Sequence, residues 1–309
     1  MQRLSVNRDD PLYTYAISFM EHYWGCVGKN IFPGSQPISI EFKHFDILRK
    51  NPYVVCEKTD GTRFMMLTFM FNSKKTCVFI NRALDMFLCP LNFRRCIYDG
   101  TILEGEMYED TFMIYDILLH NGDIIGDKDF LTRLKSIEAV KKSLTSLKND
   151  PIKMKIKTFH LMSDFSEFMN SYLPTVTQNI DGLIFTPINE TVKTGTHETM
   201  FKWKPRDKNT IDFQLKEKGD VWRLYVQERG KLVFESEIPK GMVPEYAKPW
   251  MEEGAIIECQ YMFNDSPMWW KPLMRRYDKT FPNGRRTFYR TLVNIREDIK
   301  MEDFLNCTS

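Results

Sequence analysis

Apolar and polar positions along this 309-residue chain fall mostly into short runs, with helical spacing confined to a few stretches. Tyr53-Val54-Val55-Cys56 leads through Glu57 to Lys58, a turn follows at Asp60-Gly61, and a second apolar run covers 64–71, which predicts strand, tight turn, strand. Further strands are predicted at 76–80, 102–107, 111–117 and 181–187, and Lys153, Lys155 and Lys157 alternate with apolar residues in another. A helix should start at Asp10-Pro11, because Leu12, Ala16, Phe19, Met20 and Tyr23 follow at three- to four-residue spacing. The clearest helix is 127–148, where Leu131, Leu134, Ile137, Val140, Leu144 and Leu147 recur with lysines on the other face. Residues 41–50 suit a short helix, 163–173 a capped one with Asp164 and Glu167 in its first turn, and 25–37 a loop.

From residue 211 the pattern changes to short strands between Gly, Pro and charged turns, at 221–228, 231–238, 255–263 and 268–272. That spacing predicts a small antiparallel barrel or sandwich, so two domains are expected, 1–216 and 217–309, with the second ending in a helix that packs back on the first. A chain of this length is long enough for two cores.

Composition narrows the class. A hydrophobic share of 43% and a charged share of 27% are those of a globular protein, and the net charge of +2 means that any anion-binding surface is local. Seven cysteines without a CxxC pair and five scattered histidines offer no zinc spacing, so reduced thiols in an intracellular, non-secreted setting are expected. No apolar run approaches the roughly 18 residues of a membrane span, and the N-terminus lacks a signal-peptide core.

Candidate chemistry centres on Lys58. At the reference pKa near 10.4 only about one lysine amine in a few thousand is neutral at pH 7. Burial at a strand end and Arg63 five residues on would both disfavour the ammonium form, which suits a nucleophilic amine. Acidic residues stand inside apolar runs at Glu104, Glu106 and Asp116, where they need a partner or a metal. Lys202 and Lys204 flank Trp203, and on a strand both would project from one face, where a nearby anion would relieve their repulsion. Residues 271–290 hold seven basic residues against the single acid Asp278, with Trp269, Trp270, Tyr277 and Tyr289 close by, as a polyphosphate or nucleic-acid surface requires.

Six collinear motifs carry a family resemblance: KTDGTR (58–63), LEGE (103–106), MIYD (113–116), DGLIF (181–185), KWKP (202–205) and RYDKTFPN (276–283). In their order the chain resembles the covalent nucleotidyltransferases, the superfamily of mRNA capping guanylyltransferases and of DNA and RNA ligases. It looks most like the compact GTP:RNA guanylyltransferases of large DNA viruses. The resemblance implies an α+β fold: an ATP-grasp-like nucleotidyltransferase domain of the ligase and capping type, with antiparallel sheets and flanking helices, followed by an OB-fold β-barrel, with GTP between them. Lys58 would take GMP from GTP as a phosphoramidate and pass it to the 5′-diphosphate end of RNA, making a GpppN cap. Arg63 and Arg82 would contact ribose and phosphate, Tyr115 would stack on guanine, Lys157 would bond guanine O6, and Lys202 and Lys204 would grip the α-phosphate. Glu106 would lie near the ribose and Asp181 near the reacting phosphate, both as ligands of Mg2+ or Mn2+. Arg276, Asp278 and Lys279 would orient the β- and γ-phosphates once the second domain closes, with Asp212 as a further member. Position 104 is Glu where many capping enzymes have Asp, a departure that should matter little because Glu106 carries the role. RNA triphosphatase and cap methyltransferase activities would sit on separate chains, in the nucleus or a cytoplasmic viral replication site, with no membrane. The alternatives are an ATP-dependent RNA or DNA ligase, disfavoured by RxDKxxPN, and an inactive nucleic-acid-binding relative, disfavoured because every motif lysine is present.

Overall fold

The computed structural model describes residues 4–145, 152–277 and 279–308. The chain divides into two compact units, one of Met1–Ile38, Asp46–Lys202 and Cys307–Ser309, the other of Ser39–Phe45 and Trp203–Asn306. The division expected at 216/217 falls instead inside strand Thr210–Lys218, the middle strand of the second unit's sheet. The change of sequence texture marks the turns of that sheet, whereas the first strand of the sheet reads much like the strands before it.

The first unit holds an eight-stranded sheet whose middle is strand Thr62–Phe71, paired antiparallel with Lys74–Asn81 and Thr101–Tyr108. Successive side chains on a strand point to opposite faces. Phe64 and Met66 therefore join one core, with Phe79, Leu103, Phe112 and Ile114, and Met65, Leu67 and Phe69 join another, with Val78, Ile80 and Ile102. Burial on both faces is why the run 64–71 is apolar without alternation. Helix Phe130–Lys142 seals the first face through Ile137 and Val140, and helix Pro11–Tyr23 seals part of the second through Ala16, Ile17 and Met20. Both starts are capped as their sequences require: Asp10 accepts from the Leu12 N–H at 2.8 Å and Asp129 from the Thr132 N–H at 2.9 Å. The helix expected over 127–148 is thus shorter at both ends, and 146–148 lie outside the described residues. The stretch 163–173 is no single capped helix. A 3-10 turn Met162–Asp164, one α-turn Phe165–Glu167 and a π-turn Phe168–Tyr172 follow one another, and Asp164 makes no capping bond, because Phe165 and Phe168 set the path by burying their rings.

A second sheet of the first unit runs in the order His160–Leu161, Tyr53–Thr59, Ile180–Pro187, Thr196–Trp203, Gln36–Ser39. The turn after Lys58 is therefore not a hairpin. Strand Tyr53–Thr59 pairs with Ile180–Pro187, strand Thr62–Phe71 pairs in the other sheet, and Asp60-Gly61 carries the chain from one sheet to the next. Gly61 is required there, since a Cβ would stand 2.7 Å from both Glu106 Cγ and the Met107 carbonyl.

In the second unit five antiparallel strands lie in the order Lys231–Pro239, Val221–Glu228, Thr210–Lys218, Ile256–Met262, Trp269–Arg275. In chain order that is third, second, first, fourth, fifth, the arrangement of an OB-like sheet, and among the described residues its outer strands are not paired into a closed barrel. Helix Arg285–Glu297 belongs to this unit and covers the sheet with Phe288 and Ile295, packed on Phe213, Trp270 and their neighbours.

Candidate active site

Lys58 lies at the end of its strand, and its Nζ donates to Asp181 Oδ2 at 2.7 Å. The contact depends on a β-bulge. Ile180 pairs with Thr59 and Gly182 with Lys58, so Asp181 is an extra residue opposite that step, re-aimed toward the amine. Gly182, at φ 153°, supplies the backbone conformation beside it. Arg63 does not press its charge on Lys58 as expected, because it is matched elsewhere. Arg63 Nη2 donates to Glu104 Oε1 at 2.6 Å and to the Ser35 carbonyl at 2.9 Å.

Glu104 is only 2% exposed and holds Arg63 in a largely buried charge pair, the partner that an acid inside an apolar run requires. Burial raises the Glu104 carboxyl above its usual range, the Arg63 charge works the other way, and Asp116 adds to the rise. Burial also works against the Arg63 cation, but Tyr115 and Glu104 together hold it charged. The loop above the pair has to be glycine at position 34, where a Cβ would meet Glu104 Oε1 at 1.9 Å.

Tyr115 is placed by a second bulge. Glu104 pairs with Asp116 and Gly105 with Ile114, leaving Tyr115 as the extra residue. Phe112, Ile114 and Ile117 face the same core, so the bulge turns Tyr115 and Asp116 together toward the opposite side, where both line the cavity. The Arg63 guanidinium stands 5.9 Å from the Tyr115 ring and 5.2 Å from that of Phe32. Asp116 is held by Arg133 at 2.7 and 3.1 Å.

Between the two sheets of the first unit is a cavity of about 330 Å³, within the usual range for small-molecule sites. Cys56, Lys58, Ile184, Thr186, Met200 and Lys202 contribute from one sheet, Arg63, Glu104, Glu106 and Tyr115 from the other, and Arg82 from the turn after strand Lys74–Asn81. Burial pushes the Cys56 thiol up to about 12, which leaves it protonated and a poor nucleophile beside Lys58. Lys157, 5% exposed, also lines the cavity, with its Nζ 3.0 Å from Thr59 Oγ1 and 3.5 Å from Glu57 Oε1. The Thr59 hydroxyl in turn donates to Glu106, whose other oxygen accepts from the Gly61 N–H at 3.1 Å. Thr59, Glu57 and Glu104 were not assigned roles from sequence. Glu57 carries the same signal as Glu104, an acid inside an apolar run.

The remaining candidates fall in the second unit. Asp212 accepts from Lys279 and, at 3.2 Å, from Arg276, which also reaches Glu258 at 3.3 Å. Asn283 ties their loop to the central strand, its side chain accepting from the Asp212 N–H and its N–H donating to the Asp212 carbonyl, each at 2.8 Å. Asp278 lies outside the described residues. Lys204 does not share a strand face with Lys202, because strand Thr196–Trp203 ends first and Lys204 belongs to the second unit. Among the described residues no group of three or more His, Cys, Asp or Glu side chains is assembled for a metal, and no helix is long and apolar enough to cross a membrane.

Residues 11–206 match the model of the mRNA capping enzyme catalytic domain, and residues 180–305 that of the mRNA capping enzyme C-terminal domain. The chain belongs to the mRNA capping enzyme family. It is 28% identical over 302 residues to an mRNA-capping enzyme of Mus musculus, covering 88% of this chain and 48% of that one. For an mRNA-capping enzyme of Danio rerio the identity is 30% over 297 residues, with 89% and 49% covered. An mRNA-capping enzyme subunit alpha of Schizosaccharomyces pombe is 26% identical over 323 residues, with 89% and 79% covered. The chain thus spans about half the length of the two animal relatives.

Proposed function

We propose that the chain is an mRNA guanylyltransferase working through a covalent Lys58–GMP intermediate. The observation that carries this reading is the ion pair of Lys58 with Asp181 in a cavity lined by Arg63, Arg82 and Lys202. In the first step the Lys58 ammonium gives up one proton to Asp181, the neutral Nζ attacks the α-phosphorus of GTP, and the second proton lost from nitrogen leaves with the pyrophosphate or to solvent. A nitrogen–phosphorus bond forms, the bond to the bridging oxygen breaks, and pyrophosphate leaves. In the second step a terminal β-phosphate oxygen of 5′-diphosphate RNA attacks the same phosphorus, and the nitrogen departs and regains its proton. Transfers of this kind depend on placement and charge neutralisation, which accounts for the concentration of cations.

The base is read by Tyr115, which stacks, and by Lys157, a donor-only group that favours the guanine carbonyl over an amino group. Lys202 and Lys204 hold the α-phosphate, and the Asp212, Arg276 and Lys279 cluster, with Asp278, serves the leaving phosphates. The carboxylates of Glu106, which lines the cavity, and of Asp181, which holds Lys58, are hard oxygen donors, suited to Mg2+ or Mn2+ completed by substrate phosphates. Such an ion would neutralise phosphate charge.

Mass spectrometry of a tryptic digest after incubation with GTP and a divalent metal tests the reading, with a GMP adduct expected on Lys58. An adduct formed from ATP and not from GTP would support a ligase instead, and an adduct on another lysine would overturn the assignment.

A further inference from the structure

Part of one face of the second unit's sheet is left unused by the proposed chemistry. Ile211, Phe213 and Leu215 of the central strand and Trp222, Leu224 and Val226 of its neighbour point into the core. The residues between them therefore point outward: Asp212, Gln214 and Lys216 on one strand, Arg223 and Tyr225 on the other. Lys216 pairs with Arg223, Gln214 with Tyr225, and Tyr225 with Phe234 of the next strand. The Tyr225 and Phe234 rings are 5.9 Å apart and steeply inclined. Lys216 Nζ stands 5.0 Å from the first ring, and the Arg223 guanidinium 5.0 Å from the second. Phe234 is 43% exposed, and Arg223 Nε has no hydrogen-bond partner. On the same face, about 7 Å per pair of residues along the central strand, lies Asp212 with Arg276 and Lys279.

We propose that this face is a stacking platform for the single-stranded RNA acceptor, with Tyr225 and Phe234 taking bases downstream of its first two nucleotides. The inference rests on the guanylyltransferase reading and adds where the body of the transcript is held. The exposed Phe234 and the half-buried Tyr225 offer rings that accept any base through its π-face, so the site tolerates sequence. Lys216 and Arg223, each within 5.0 Å of a ring, supply positive charge beside the stacked bases for the phosphates between them. Glu237, paired with Arg223, offsets part of that charge, so stacking rather than ionic attraction supplies most of the affinity.

The test uses the full chain carrying Tyr225→Leu with Phe234→Leu, which keeps apolar bulk and removes the rings, beside the double alanine variant. Acceptors are 5′-diphosphate RNAs of two and of about eight nucleotides, the longer one within the site sizes of OB folds. Enzyme–GMP formation and transfer to the dinucleotide should be unchanged, while KM for the longer RNA rises roughly tenfold, as loss of base stacking implies. An unchanged KM for the longer RNA, or an equal loss with the dinucleotide, overturns the platform. Fluorescence anisotropy with the same labelled RNA reads the platform separately. Absence of any enzyme–GMP in the unsubstituted chain would instead be a failure of the functional reading.

Discussion

Lys58 and Asp181 face each other at 2.7 Å because a β-bulge at Asp181 breaks the register of the two strands that carry them. A regular ladder would have passed the carboxylate along the strand. The bulge turns it onto the amine, and under the proposed function the same residue would both orient the nucleophile and take its proton.

Asp181→Asn should therefore slow formation of the GMP adduct by on the order of 10²-fold, the usual scale for a positioned proton acceptor, with little change in Tm. Single-turnover labelling with GTP measures it, and a rate like that of the unsubstituted chain would remove Asp181 from the chemistry.

Lys58→Arg should give a folded protein that never acquires GMP, because a guanidinium stays protonated. Intact-protein mass spectrometry decides this, and an adduct on the variant would show that the nucleophile lies elsewhere.

Glu104→Ala should destabilise the first unit by about 3–5 kcal/mol, since it leaves the Arg63 charge buried without its partner. Denaturant unfolding gives the value. A change below roughly 1 kcal/mol would mean that the pair behaves like an exposed one.

Lys279→Ala should impair adduct formation from GTP on the order of 10²-fold, the loss seen when one oriented donor to developing charge is removed. Transfer from preformed enzyme–GMP should change much less, because pyrophosphate has already left. Equal losses in the two half-reactions would exclude a role in orienting the leaving group.

His197 is 2% exposed. Burial lowers its pKa from 6.5, Lys193 and Arg133 act in the same direction, and Glu190 opposes them. Unfolded chains take up this proton as pH falls through about 6.5 and the folded protein resists, so stability is full above that pH and declines below it. His120, also lowered mainly by burial, adds to the same trend. Tm measured from pH 7.5 to 5.5 should fall, and His197→Gln should flatten the curve; an unchanged slope would shift the effect to other groups.

Much of the site can be read along the chain, because motif residues stand beside turns and strand ends whose chemistry is local. Lys58, Arg63, Glu106 and Asp181 follow from such positions, as does the need for partners around Glu104 and Asp116, acids embedded in apolar runs. The helix starts at Asp10 and Asp129 are equally local, each set by one side chain and one N–H. What the partners are is not local. That Glu104 holds Arg63, and that Lys157 joins Thr59 and Glu57, depends on strand order between segments far apart in sequence. The bulges at Tyr115 and Asp181 shift the two-residue period by one, which no count of apolar positions anticipates without the opposite strand. Residue types and their order therefore specify the chemistry available. Pairing register across the sheets decides which groups meet, because only a neighbouring strand determines which way a side chain turns.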